Sequence, residues 1–215
     1  MERCHDHRML LKHKHSLSLR LSHWLNVPII LMLVWSGILI YWAYPAYISM
    51  PAWAVEKFNL HHRLAEGMGW HFTLMWALIA NGIFFVIYSF VSGHWRALVP
   101  TSRDLKNFIP FILSDLRISK RKFPETDEYN PAQKVAYTGA LIMGFGAVIT
   151  GFAIFKPVLL GWLTALCGGY QTARFLHFAM MIGLVLFLIV HLIQVGRSGW
   201  ATFQSMISGY EHEQD

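Results

Sequence analysis

Charge is scarce in this 215-residue chain: Asp, Glu, Lys and Arg make up 14% of it, against 55% hydrophobic residues. Soluble domains carry nearer a quarter charged residues, so this balance excludes an ordinary soluble domain and points to an integral membrane protein. Cysteine is scarcer still, with Cys4 and Cys167 the two examples. They lie far apart in sequence and on opposite expected sides of a membrane, so no disulfide between them is expected. Neither belongs to a CxxC pair or to the CxxCH of covalent haem attachment. With no Fe–S cysteine set and no glycine-rich nucleotide loop, any primary substrate chemistry must come from another chain. A cleaved secretory signal is not expected either, because the first apolar run is too long and no small-residue cleavage site closes it. The net charge of +6 does not call for nucleic acid. In a membrane protein, excess Lys and Arg collect in cytoplasmic loops.

What the chain has in abundance is long apolar runs, at about residues 24–44, 70–91, 134–155 and 174–195. Each is long enough to cross the hydrocarbon as a helix. The expected fold is therefore all-α, an integral membrane four-helix bundle over residues 23–215. A basic, histidine-rich arm precedes it over residues 1–22, with Cys4, His5, His7, His13 and His15 among Lys12, Lys14 and Arg20. The arm reads as a solvated cytoplasmic segment, with a metal-binding tail as the alternative. Residues 45–69 form a connector with room for a short interfacial helix, residues 92–133 a long polar loop and residues 156–173 a shorter one. The arm holds five Lys/Arg, and the long loop seven: Arg96, Arg103, Lys106, Arg117, Lys120, Arg121 and Lys122. The connector has two, Lys57 and Arg63, and the shorter loop has Lys156. The positive-inside rule then puts both termini in the cytoplasm of a bacterial inner-membrane protein.

Histidine carries the chemistry. The fourth run, RFLHFAMMIGLVLFLIVHLIQV, has His177 and His191 fourteen residues apart, just under four turns. Both therefore project from nearly the same face, roughly 21 Å apart along the axis. Ligand-grade side chains inside a membrane segment are costly and usually functional, and a neutral imidazole in lipid most often serves haem. With the termini inside, His23 and His191 fall near the cytoplasmic face, and His71 and His177 near the outer face. Each level draws one imidazole from each of two helices, as axial ligation across a haem plane requires. A lone histidine at a helix end is more often an interfacial anchor; four at two consistent levels favour two haem b groups. Arg20 and Arg174 each lie one turn from an expected ligand, as cations for haem propionates or as snorkelling residues. Gly37, Gly139, Gly144, Gly146 and Gly151 either relieve crowding against porphyrin or serve as small-residue helix contacts. His61, His62 and His94 are weaker rivals, expected in the connector and the long loop, with His62 the strongest of them.

Four stretches carry a family resemblance: Ser22–Trp24 (SHW), Gly69–Gly82 (GWHFTLMWALIANG), Glu128–Gly139 (EYNPAQKVAYTG) and the RFLH…VH pair. On these the chain resembles the di-haem cytochrome b subunits of membrane-bound formate dehydrogenases, nickel–iron hydrogenases and thiosulfate-reductase-like enzymes, over nearly its full length. The resemblance implies haem ligands at His23, His71, His177 and His191. It further implies a quinone site near the cytoplasmic haem, at Asn130, Gln133 and Lys134 with His191 close by. SGHWRALVP at Ser92–Pro100 is similar to the subgroup serving periplasmic molybdopterin oxidoreductases. The expected function is electron transfer between the quinone pool and such a periplasmic partner protein, in contact with membrane lipid. Asn130-Pro131 also reads as a helix cap, with Lys134 snorkelling. Two rival functions remain. One is a stand-alone quinol-oxidising cytochrome giving electrons to superoxide or ferric iron, and the other a histidine-based metal transporter.

Overall fold

The computed structural model describes residues 11–43, 45, 47–121, 123 and 129–212; the first ten residues of the arm, with Cys4, His5 and His7, lie outside these, as do Tyr44, Lys122 and Glu128. Along the chain run β1 (Leu11–His13), α1 (Leu17–Ala43), α2 (Ala52–Lys57), a 3-10 turn (Leu60–His62), α3 (Leu64–Ser92) and α4 (Trp95–Leu98). Then come α5 (Ser102–Asp115), α6 (Pro131–Phe155), α7 (Gly161–Leu166), α8 (Tyr170–Ser198), α9 (Trp200–Ser208) and β2 (Tyr210–His212). The fold is all-α but for one short addition. β1 and β2 pair antiparallel, Leu11 opposite His212 and His13 opposite Tyr210, so the end of the arm is tied to the C-terminal segment.

Helices α1, α3, α6 and α8 are each long and apolar enough to cross a membrane, their most apolar stretches having mean hydropathies of 1.9, 2.0, 1.9 and 2.5. Large apolar side chains such as Val91, Phe145 and Leu186 stand exposed along them. Such surface is tolerable where lipid is the solvent. All four helices begin earlier than the apolar runs that announce them, α6 by least, because their first turns are polar and carry no hydropathy signal. His23, His71 and His177 consequently lie about two turns inside their helices rather than at the start. The connector holds a short helix, α2.

Two compact units divide the chain, Met1–Phe85 with His191–Asp215, and Val86–Val190. In the first, Leu39 and Trp42 of α1 bury against Leu60 of the 3-10 turn, which holds the connector onto the helix. Gly67 of α3 makes the close approach to α1. A Cβ built there would stand 2.8 Å from Leu39 Cβ and 3.0 Å from the Ser36 carbonyl, so only glycine fits. Further along, the buried Asn81 of α3 donates to the Ser22 carbonyl at 2.9 Å and to Asn26 Oδ1 at 2.8 Å, cross-linking α3 to α1. Trp24 Nε1 donates to the Met206 carbonyl at 2.9 Å and the Arg20 guanidinium to the Ile207 carbonyl, fixing α9 beside the start of α1.

In the second unit α6 and α8 interlock reciprocally. Gly146 of α6 faces the Met180 thioether of α8, and Gly183 of α8 faces that of Met143 on α6. The chain before α6 is fastened to it twice: Thr138 Oγ1 donates to the Leu98 carbonyl at 3.0 Å, and Lys134 meets Asp104 of α5. At the other end of α6, Thr164 of α7 donates to the Ala153 carbonyl at 2.9 Å.

Candidate functional site

His23 and His191 face one another in the first unit, with ring centroids 6.1 Å apart and planes inclined at 58°. A metal held about 2 Å from each imidazole nitrogen, with each ring centroid about 1.1 Å behind its nitrogen, would separate the centroids by about 6.2 Å. The observed spacing is close to that value, so the pair would fit a haem iron between the two rings. Trp24 meets His23 edge-on at 5.3 Å, and Trp24 is in turn held by Phe203 and the Met206 carbonyl of α9. Asn81 anchors α1 on both sides of His23, through Ser22 and Asn26.

His71 belongs to the first unit and His177 to the second, and each is seated by its own neighbours. Ser36 Oγ lies 3.0 Å from His71 Nδ1, and a Cβ on Gly37 would stand 3.5 Å from His71 Cε1. In the second unit Thr150 Oγ1 lies 3.2 Å and the Ala147 carbonyl 2.9 Å from His177 Nδ1, while a Cβ on Gly151 would stand 3.3 Å from His177 Cε1. Each of these histidines thus rests against a hydroxyl residue and the glycine that follows it on a neighbouring helix. The glycines sort accordingly. Gly37 and Gly151 face histidines, Gly146 is a helix contact, and a Cβ on Gly139 or Gly144 would meet nothing within 4 Å.

Asn130 and Gln133 form a reciprocal capping box at the start of α6. Asn130 Oδ1 accepts from the Gln133 amide at 2.8 Å and Gln133 Oε1 accepts from the Asn130 amide at 3.0 Å, with Pro131 in the first turn. The cap uses the two carboxamide oxygens and leaves the nitrogens to donate elsewhere. Lys134 does not snorkel. It is 7% exposed, beside an Asp104 that is 6% exposed, and Nζ lies 3.5 Å from Asp104 Oδ2. Asp104 also caps α5, accepting from the Thr101 amide at 2.8 Å and the Thr101 hydroxyl at 2.7 Å. Burial works against ionisation of Asp104, but the Thr101 hydrogen bonds and the Lys134 charge outweigh it and hold the carboxyl below the usual carboxylate range.

The remaining candidates scatter. Arg20 is turned to α9, as described, and half-buried Arg174 reaches Gln171 Oε1 at 3.5 Å. His61 and His62 are exposed on the 3-10 turn. His94 is half-buried, 6.2 Å from the Tyr88 ring and 5.9 Å from that of Tyr129. Among the described residues no group of three or more His, Cys, Asp or Glu converges as a metal site of its own. Sequence reasoning missed Ser36, Thr150, Asn81, Gly67 and Asp104. The first two carried a readable signal, since each is a hydroxyl residue directly before a glycine inside an apolar run.

Comparison with known proteins shows the family. A family model described as prokaryotic cytochrome b561 matches residues 14–209. A putative protein-methionine-sulfoxide reductase subunit YedZ1 of Azospira oryzae is 34% identical over 178 residues, 82% of this chain and 87% of that protein. A probable Ni/Fe-hydrogenase B-type cytochrome subunit of Bradyrhizobium diazoefficiens is 26% identical over 206 residues, 88% of this chain and 79% of the relative. With four apolar spanning helices and facing histidines, the chain belongs to the prokaryotic cytochrome b561 family, multi-pass membrane proteins that carry haem b.

Proposed function

We propose that this cytochrome is a di-haem b conduit linking the quinone pool of the bacterial inner membrane to an oxidoreductase on its outer face. The observation that carries the reading is the 6.1 Å approach of His23 and His191. These two hold one haem b; His71 and His177, matched by depth in the sequence, hold the second. The haems supply one-electron transfer, which lets two-electron quinol chemistry be coupled to a distant partner. Arg20 and Arg174 each lie one turn along the helix from a ligand, as the cations that haem propionates need. The carboxamide nitrogens of Asn130 and Gln133 donate to quinone oxygens while their own oxygens cap α6, and Lys134 adds a positive charge at the same end. Both termini and this end of α6 lie on the cytoplasmic side, by the distribution of Lys and Arg.

The partner we assign is a molybdopterin oxidoreductase in the periplasm. Both named relatives are subunits of redox enzymes, and the greater identity to the methionine-sulfoxide reductase subunit supports a partner that reduces oxidised sulfur. Electrons then pass outward from quinol.

The capping box offers a clean test of the quinone site. Asn130→Asp and Gln133→Glu keep the capping oxygens and remove the nitrogen donors. Each variant should fold and hold haem normally, yet be reduced by a soluble quinol analogue about 10-fold more slowly, the cost of one hydrogen bond. Reduction at the unaltered rate in both would contradict the assignment.

A further inference from the structure

The hydrogen bonds around His71 and His177 fix more than position. Ser36 Oγ donates its own hydrogen to the Leu33 carbonyl at 3.1 Å, one turn back on α1. The oxygen is then left to accept, and the 3.0 Å contact with His71 Nδ1 suits a hydrogen on Nδ1. Thr150 repeats the accounting on α6. Its hydroxyl donates to the Gly146 carbonyl at 2.7 Å, leaving its oxygen to accept from His177 Nδ1 at 3.2 Å. The Ala147 carbonyl, 2.9 Å from the same nitrogen, has no hydrogen to give and requires the same assignment. At His177 Nδ1 therefore carries the hydrogen, and the Ser36 contact suits the same tautomer at His71.

We infer that Ser36 and Thr150 are positioning residues for the haem-ligating histidines. They hold His71 and His177 as the tautomer that presents Nε2 to iron, and they lower the reduction potential of the haem so bound. The physical basis is that an acceptor on the far nitrogen orients a ligating imidazole and raises its basicity, which favours the more highly charged ferric iron. The glycine following each hydroxyl completes the seat. On Gly151 a methyl group would press His177 Cε1 at 3.3 Å, tighter than ordinary contact, whereas on Gly37 the 3.5 Å gap to His71 is ordinary.

This inference rests on His71 and His177 being haem ligands, so the experiment separates the two claims. Haem per chain and midpoint potentials are measured on the purified full chain for His71→Ala, Ser36→Ala, Ser36→Thr and Thr150→Val. His71→Ala should lose one haem; full retention would overturn the ligand assignment itself. Ser36→Ala should weaken retention of that haem by about 10-fold or more and raise its midpoint potential. Ser36→Thr, which restores the hydroxyl, should return both to wild type. Thr150→Val should shift its haem in the same direction, moderated by the Ala147 carbonyl that remains. Loss of a haem in His71→Ala with no shift of potential in Ser36→Ala would overturn the positioning role. So would equal shifts in Ser36→Ala and Ser36→Thr, because a packing effect would not be rescued by the hydroxyl.

Discussion

Lys134 Nζ stands 3.5 Å from Asp104 Oδ2, and both side chains are buried. The pair joins α5 to the first turn of α6, the end that bears Asn130 and Gln133. Removing Asp104 takes away both the α5 cap and the counter-charge of a buried ammonium. Asp104→Ala should therefore cost about 1–3 kcal/mol. Lys134→Met should cost less, because Thr101 keeps the carboxylate bonded and methionine fills the space of the lysine stem. Thermal unfolding in detergent, followed by helical signal, reads the order of the two variants. Equal losses would mean that the ion pair alone, and not the cap, ties the helices.

The same carboxylate makes stability depend on pH. Its folded-state value is depressed, so its contribution is complete above the unfolded carboxylate value, about pH 4. It is lost as pH falls through the lower folded value. The stability gap between wild type and Asp104→Asn should be constant from neutral pH to about pH 5 and should close on further acidification. A gap that widened in acid would show that Asp104 is not held ionised.

Gly67 and Gly69 are two residues apart and predicted to behave oppositely. A methyl group on Gly67 meets Leu39 Cβ and the Ser36 carbonyl at 3.0 Å or less, while one on Gly69 meets nothing within 4 Å. Gly67→Ala should force α1 and α3 apart, cost about 1–3 kcal/mol and lengthen the Ser36–His71 contact one turn away. Haem content should fall in Gly67→Ala and stay at the wild-type level in Gly69→Ala. Equal haem content in the two would place the close approach of α1 and α3 elsewhere.

Asn81 donates to two oxygens, the Ser22 carbonyl and Asn26 Oδ1. Replacement by alanine loses those bonds, for about 1–3 kcal/mol. Asn81→Asp should be worse, since a buried carboxylate would face two acceptors with no hydrogen to offer them. If Asn81→Asp proves milder than Asn81→Ala, the amide nitrogen does not point at α1. The readout is the spectrum of the haem proposed at His23 and His191, since these bonds anchor the helix that bears His23.

The spans were legible because twenty apolar residues without charge have few other uses; the four histidines stand out as candidates because ligand-grade nitrogens are rare within such runs. The starts of α1, α3 and α8 were not legible, since Ser18, Glu66 and Gln171 suit a helix but carry no apolar signal. Lys134 reads from the sequence as a quinone-site residue or a snorkelling one, and its pairing with Asp104 was not legible because it depends on how α5 packs against α6. Gly67 was invisible for a related reason: closeness belongs to two helices at once. Ser36 and Thr150 are ordinary residues in an apolar run, and their meaning comes from where their hydroxyl hydrogens go.

The 6.1 Å spacing of His23 and His191 is best tested by counting haem in the purified chain and in His23→Ala and His191→Ala, with a reduced-minus-oxidised spectrum of each. The account predicts two b-type haems per wild-type chain and the loss of the same single haem in both variants. Two haems retained in either variant, or none in the well-folded wild type, would contradict it.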